Sequence, residues 1–150
     1  MKNLIRNDWL TSVISKPAYI LEKFNYDLND SFLRYKNSFI EAKINTNDVN
    51  QLNAIQKSNF ELIECELSFK KSKFFSQNQF KSEVKIRPAK KKDENDVREI
   101  ASKSFVKSRF YKDQNFDKKT ASKIKEEWAG NFFRGERGDY LVVAEKNNSV

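Results

Sequence analysis

The sequence contains no histidine, only one cysteine and only three glycines among its 150 residues. Without histidine, the chain cannot form a histidine-based catalytic triad, use a histidine general base or bind a metal ion through imidazole. A single cysteine cannot form an internal disulfide, and without histidine it cannot complete an ordinary zinc site. Cys65 lies in the apolar segment 60–69, so we predict a buried structural thiol rather than a nucleophile.

The sequence also has no long apolar run and no targeting signal. No apolar stretch approaches the length that spans a bilayer. The stretch 9–14 is too short and too polar for the apolar region of a signal peptide, and no small-residue cleavage site follows it. We therefore expect a cytoplasmic protein without membrane association.

Charged residues are abundant, and 29 lysines and arginines against 21 acidic residues give a net charge of +8. Clustered cations bind nucleic acid because they release counterions from its phosphate backbone. Here the cations are mostly lysines spread along the chain among acidic residues. The dense run from Lys90 to Lys92 is followed at once by Asp93 and Glu94. The pattern favours a solvated basic surface over a nucleic-acid site.

Residues 1–71 predict an N-terminal β–α–β region preceded by irregular sequence. Strand candidates lie at 18–21, directly after Pro17, and at 39–44, where apolar residues alternate. A third strand is predicted over 60–69, where apolar and polar residues also alternate, so that one face is buried and the other wet.

A helix is predicted between the second and third of these strands. The polar cluster 45–48 supplies capping residues, and Val49, Leu52 and Ile55 then recur at helical spacing. We expect this helix to end near Ser58.

Residues 72–83 predict a polar linker with three phenylalanines, Phe74, Phe75 and Phe80. Such aromatic residues either anchor the linker to the fold or form a stacking platform for single-stranded nucleic acid. Stacking platforms usually show strand alternation, which this segment lacks, so the sequence favours the linker.

Residues 84–150 predict a strand–helix–loop–helix–strand block. The strands are 84–88 and 140–145, and the loop between the helices covers 108–116. The apolar stripe of the first helix consists of Val97, Ile100, Ala101 and Phe105. The second helix has Asp117 as its cap, and its apolar stripe consists of Ala121, Ile124, Trp128 and Phe132. The predicted fold class is α/β, in the α+β form with a mixed sheet.

This second block resembles the opening of the GNAT N-acetyltransferase fold. "VKIRPAKKKDENDVREIASKSF" is similar to the first strand and helix of that family. The matching positions are Arg87, Pro88, Ala89, Asp93 or Asp96, Val97, Ile100, Ala101 and Phe105. "YLVVAEKNNSV" is similar to the second strand and the turn into the third. The segments "SFVKSRFYKDQNF" and "EEWAGNFFRG" resemble the amino-sugar branch, which includes the dTDP-fucosamine acetyltransferases and also carries an N-terminal β–α–β region.

The resemblance implies transfer of acetyl from acetyl-CoA to a primary amine, with a nucleotide-linked amino sugar as a candidate acceptor. In that family the loop between the first two helices borders the acceptor, which makes Ser108, Arg109, Phe110 and Tyr111 the candidate substrate-binding residues. Arg109 would pair with a diphosphate and an aromatic ring would stack on a base or sugar. The alternative is that Phe110 and Tyr111 pack the loop while Arg109 is solvated.

The chain departs from the family at the cofactor loop. The family's Gln/Arg-x-x-Gly-x-Gly/Ala loop follows a strand and opens a helix, where backbone N–H groups hold the pyrophosphate. Here Gly135 and Gly138 lie between a helix and a strand, the wrong order for that loop. We therefore expect a truncated acetyltransferase with no catalytic, cofactor-binding or metal residues of its own and an exposed strand edge at 141–143.

Two other hypotheses stay open at this stage. One is a non-enzymatic, small basic α/β protein that binds nucleic acid or an acidic partner. The other is an acetyltransferase relic that pairs its open strand with a partner. The acceptor amine is not specified by the sequence, which also leaves a homo-oligomer open.

Overall fold

The computed structural model describes residues 4–22, 35–70 and 83–150. The chain divides into two compact units, Met1–Ile63 and Glu64–Val150. Both contain helices and strands, so the molecule belongs to the mixed α and β class. The predicted linker 72–83, with Phe74, Phe75 and Phe80, lies outside the described residues except for Glu83. Among the described helices, none is long and apolar enough to cross a membrane.

The first unit contains a three-stranded sheet. Its described elements are β1 (Leu4–Arg6), α1 (Asp8–Ile14), β2 (Ala18–Leu21), β3 (Phe39–Ala42) and α2 (Val49–Lys57). The strand order is β1-β2-β3, with β1 antiparallel and β3 parallel to β2. Leu21 and Ile55 are buried together with Ala54 packed against them, so the end of α2 packs beside the sheet strand β2, whereas Val49 at its start is 60% exposed.

The predicted strand at 39–44 forms as β3, over Phe39–Ala42. The strand at 18–21 and the helix opened by Asp48 form as expected, and Asp48 Oδ1 accepts a hydrogen bond from the backbone N–H of Gln51 at 3.0 Å. The sequence before them is not irregular, because it forms β1 and α1. Asn7 caps α1 by accepting from Leu10 N at 3.0 Å, and burial of Leu10 and Val13 then stabilises a helix of only seven residues.

The strand predicted over 60–69 does not form. Leu67 and Phe69 are 76% and 92% exposed, and Cys65 is also exposed, so the prediction of a buried thiol is wrong as well. Alternation specifies two faces, but a strand also needs a neighbouring edge for its N–H and C=O groups. Within the described chain no strand pairs with this segment.

The second unit is built from two strands and the helices between them. Its elements are β4 (Lys85–Pro88), a 3₁₀ turn (Lys91–Asp93), α3 (Glu94–Ser104), α4 (Arg109–Lys112), α5 (Lys118–Phe133) and β5 (Val142–Glu145). Strands β4 and β5 pair antiparallel, with Lys85 opposite Glu145 and Pro88 opposite Val142. The prediction of both long helices and both strands is confirmed, and α4 is an additional short helix within the predicted loop.

Small residues allow α3 and α5 to pack closely. Ala101 of α3 and Ala121 and Ile124 of α5 are buried, as is Val143 of β5. The predicted apolar stripes include residues outside the buried contact between α3 and α5, because Ile100 and Trp128 are each 44% exposed. Helix α5 begins at the predicted cap, since Asp117 Oδ1 accepts from Thr120 N at 2.6 Å.

Candidate functional site

The four predicted acceptor residues lie together on the short helix α4 and its cap. Ser108 is the N-cap of α4, and its carbonyl oxygen accepts from the backbone N–H groups of Tyr111 at 2.9 Å and Lys112 at 3.2 Å. The hydroxyl oxygen of Ser108 is buried and makes no hydrogen bond within the described chain. A buried hydroxyl without a partner is costly, which makes Ser108 Oγ a group able to bind a ligand.

The two aromatic residues of α4 pack into the unit. Phe110 is buried, and its ring meets Phe116 edge to face with centroids 5.7 Å apart. The hydroxyl of Tyr111 shares a hydrogen bond with Ser122 of α5 and lies 3.4 Å from the carbonyl oxygen of Ser102 of α3. Both rings therefore hold α4 against its neighbours, as the packing alternative requires.

Arg109 is half-buried on the same helix. Its guanidinium carbon lies 4.8 Å from the centroid of the Phe110 ring, within range of a cation–π contact. This contact orients the guanidinium, a planar group of the kind that binds phosphates and carboxylates in bidentate fashion.

A second group of residues beside α4 was not predicted from the sequence. Lys125 of α5 places its ammonium nitrogen 5.2 Å from the ring centroid of Phe105, 5.4 Å from Phe110 and 5.8 Å from Trp128. Partial burial lowers the pKa of Lys125, and the positive charge of Arg109 lowers it further. Lys125 therefore lies in an aromatic, electropositive environment.

Arg137 extends this group at the end of α5. Its guanidinium carbon lies 5.7 Å from the centroid of the Trp128 ring. Trp128 is 44% exposed, as is Phe105, so these rings retain accessible surface beside the cations. Helical spacing placed Trp128 in the core stripe. The sequence signal for its exposure was Lys125, which lies three residues earlier and therefore on the same helix face.

A separate polar cluster joins the two strands to the first turn of the unit. Arg87 donates from Nη1 and Nη2 to the two carboxylate oxygens of Asp93 at 2.6 and 2.9 Å, and from Nε to Glu145 at 2.7 Å. Asp93 is buried, and it also accepts from the backbone N–H of Lys90 at 2.7 Å.

The electrostatics of this cluster suit a structural role. The hydrogen bonds from Arg87, followed by that from the Lys90 backbone, hold the pKa of Asp93 well below its usual range. The Arg87 side chain likewise lowers the pKa of Glu145, and both carboxylates raise the pKa of Arg87. Because both acids stay ionised and the guanidinium is fully used, the cluster offers neither a general acid nor an anion site.

A second ionic network joins α3 to α5. Arg98 Nη2 lies 3.0 Å from Glu126 Oε1 and 2.6 Å from Glu127 Oε1. Burial favours a lower pKa for Arg98, but the hydrogen bonds to Glu126 and Glu127 outweigh it, and the pKa is raised. Gly130 makes this approach feasible, because a Cβ atom there would lie 2.6 Å from Arg98 Nη1.

The chain also has a surface depression that no residue of α4 lines. Within the described residues no three potential metal-binding side chains cluster. A shallow depression of about 430 Å³ lies in the first unit at the start of α2, lined by Asn45, Asn47, Asp48, Val49 and Asn50. Its polar groups cap the helix and shape the turn before it, as the hydrogen bonds of Asp48 and Asn45 show.

No protein-family model matches the chain, and no curated protein matches it either.

Proposed function

We propose that residues 84–150 form the acceptor-side part of an acetyl-CoA-dependent N-acetyltransferase of the GNAT type, acting in the cytoplasm on a primary amine. The observation that carries the proposal is the element order of the second unit. In sequence, α3, α4 and α5 lie between the antiparallel strands β4 and β5, and Ser108 and Arg109 are the cap and first residue of α4. This element order supports the proposal.

The roles of the chain's own residues follow from their chemistry. An amine attacks a thioester only as the neutral base, and nearby positive charge lowers the pKa of an amine. Arg109 and Lys125 supply that charge beside α4. Arg109 also binds the anionic part of an acceptor such as a nucleotide-linked amino sugar, and Ser108 Oγ supplies one neutral hydrogen-bonding group.

The glycines of the described chain do not fit the pyrophosphate of acetyl-CoA. Gly135 and Gly138 have φ angles of +72° and +86° and follow the end of α5 rather than opening a helix. Their geometry ends the helix and starts the approach to β5. We therefore assign no step of the reaction, and no residue that binds acetyl-CoA, to this part of the chain.

The test uses the complete product of the gene, from its own start codon to its own stop codon. We expect amine-dependent release of the CoA thiol, and Arg109→Ala should raise KM for a nucleotide-linked amino sugar by about tenfold or more. Lys112→Ala removes an equal charge from an exposed position on the same helix and should leave KM unchanged. Absence of both saturable acetyl-CoA binding and thiol release would contradict the proposal.

A second candidate function is a small basic binding protein for nucleic acid or an acidic partner. The specific observation in its favour is the group of cations packed on aromatic rings around Trp128. A binding function of this kind requires neither a cofactor nor catalytic residues.

A further inference from the structure

Positive charge is concentrated in one part of the second unit. Residues 103–125 contain eight lysines and arginines and two aspartates, so their net charge is 8 − 2 = +6, against +8 for the whole chain. Both aspartates serve local structure: Asp113 is buried and accepts from Asn115, and Asp117 caps α5. The lysines that looked evenly spread along the sequence therefore produce a basic surface around α4 and the start of α5.

Lys125 and Arg137, the two cations beside Trp128, differ in their partners from three arginines of this unit. Arg87, Arg98 and Arg134 each contact carboxylates within 4.0 Å. For Lys125 and Arg137 no described carboxylate lies within that distance, and the recorded contacts are with ring faces. The charge of Glu64 also reaches Lys125 and opposes that of Arg109. Aromatic contacts orient a cation without neutralising it, so both cations keep their capacity to bind phosphate.

Exposed aromatic surface lies directly beside these cations. Trp128 and Phe105 each expose 44% of their surface, whereas Phe110 beneath them is buried. Rings that contact a cation and remain accessible combine the two elements that single-stranded nucleic acid requires, namely a face for a base and a charge for the backbone.

From this combination we infer that Lys125, Arg137, Trp128 and Phe105 bind single-stranded nucleic acid. Bases stack on the Trp128 ring or on the guanidinium plane of Arg137, and the two cations contact adjacent phosphates. A duplex hides its base faces, and the carboxylates of an acidic protein do not stack on rings, so exposed aromatics beside cations favour an unpaired strand. This inference rests on the second candidate function, for which it names the partner. It shares only Lys125 with the proposed acetyl transfer, because Arg137, Trp128 and Phe105 have no role there.

The first experiment measures binding of a fluorescein-labelled dT12 oligonucleotide to the full chain at several salt concentrations. The double variant Lys125→Ala/Arg137→Ala should reduce the slope of log K against log salt by about 1.4, which is about 0.7 for each of two phosphates. The control Lys16→Ala/Lys36→Ala removes the same charge from exposed positions of the first unit and should keep the original slope. Equal slopes in the two double variants would overturn the inference.

The second experiment tests stacking, using the fact that Trp9 and Trp128 are the only tryptophans. In a Trp9→Phe background, dT12 should quench Trp128 fluorescence, whereas inorganic polyphosphate of equal charge should bind more weakly and leave the fluorescence unchanged. Trp128→Ala should weaken dT12 binding by about fivefold or more and Trp128→Phe by less, with circular dichroism confirming that both variants fold. Polyphosphate binding as tight as that of dT12, without quenching by either, would show a merely electrostatic surface and refute the site.

Discussion

The guanidinium of Arg87 contacts two carboxylates that come from different parts of the second unit. Asp93 lies six residues away and Glu145 lies 58 residues away. The bidentate pair with buried Asp93 fixes the 3₁₀ turn before α3, and the bond to Glu145 fixes β5 beside β4. A buried charge that loses its partner is strongly destabilising, so each member of this cluster depends on the others.

At this scale we predict the pH dependence of stability through Asp93. Its pKa in the folded state is depressed by Arg87, so its contribution is present above the unfolded pKa of about 3.9 and is lost as pH falls towards the folded value. Asp93→Asn should therefore lower Tm at neutral pH, and the difference from the unmodified protein should shrink below about pH 4.

Thermal melts between neutral and acid pH check this prediction. The matched control is Asp96→Asn, which makes the same change at an exposed position in the first turn of α3. It should lower Tm only slightly. A Tm difference for Asp93→Asn that stays constant on acidification would contradict the role given to the carboxylate.

At the scale of elements, α3 and α5 form the main packed pair of the second unit. Their sequence stripes include two isoleucines with different environments, since Ile124 is fully buried and Ile100 is 44% exposed. Truncation of a buried isoleucine removes transfer free energy and leaves a cavity, whereas truncation of an exposed one does little of either.

We predict that Ile124→Ala lowers the free energy of unfolding by about 2–5 kcal/mol. Ile100→Ala, the same change on the facing helix, should cost about 1 kcal/mol or less because much of that side chain is already in water. Urea denaturation of both variants measures the two values. Similar losses at the two positions would contradict the assignment of Ile124 to the buried contact between α3 and α5 and of Ile100 to its exposed edge.

The same helices show what sequence can and cannot predict. The cap at Asp117 and the period of α5 are local properties, so the helix was predictable. The exposure of Trp128 was not, because it depends on which part of the stripe faces α3. Pairing is also non-local: the segment 60–69 alternates like a strand but has no described neighbour. The predicted site residues are consecutive, so their position together on α4 and its cap follows from the sequence alone. Lys125 shares a helix face with Trp128 through the i,i+3 spacing, whereas Arg137 joins through a contact that no spacing specifies.

At the scale of the whole molecule, the division into Met1–Ile63 and Glu64–Val150 falls within an exposed stretch without regular structure. Glu61, Glu64 and Glu66 are all exposed there, three within six residues, whereas Glu22, Glu83 and Glu136 are single exposed glutamates outside helices and strands. Proteases cleave preferentially where an exposed backbone can adopt an extended conformation without unfolding its surroundings.

We predict that a glutamate-specific protease cuts first at Glu61, Glu64 or Glu66. Mass spectrometry of early digestion products should show two large pieces that meet within this stretch. Glu126 and Glu127, which pair with Arg98 inside α5, serve as internal controls and should be cut much later. Early cleavage at these two positions would contradict the compactness of the second unit.

The unequal sequence distances within the Arg87 cluster bear on the order of folding. The contact with Asp93 closes a short loop, whereas the contact with Glu145 must bring together the two ends of the unit, at a larger cost in chain entropy. We therefore expect Arg87 to find Asp93 early and to be held, already oriented, when β5 arrives. The turn before α3 then acts as a template, and the last strand docks onto a guanidinium whose conformational freedom has already been lost.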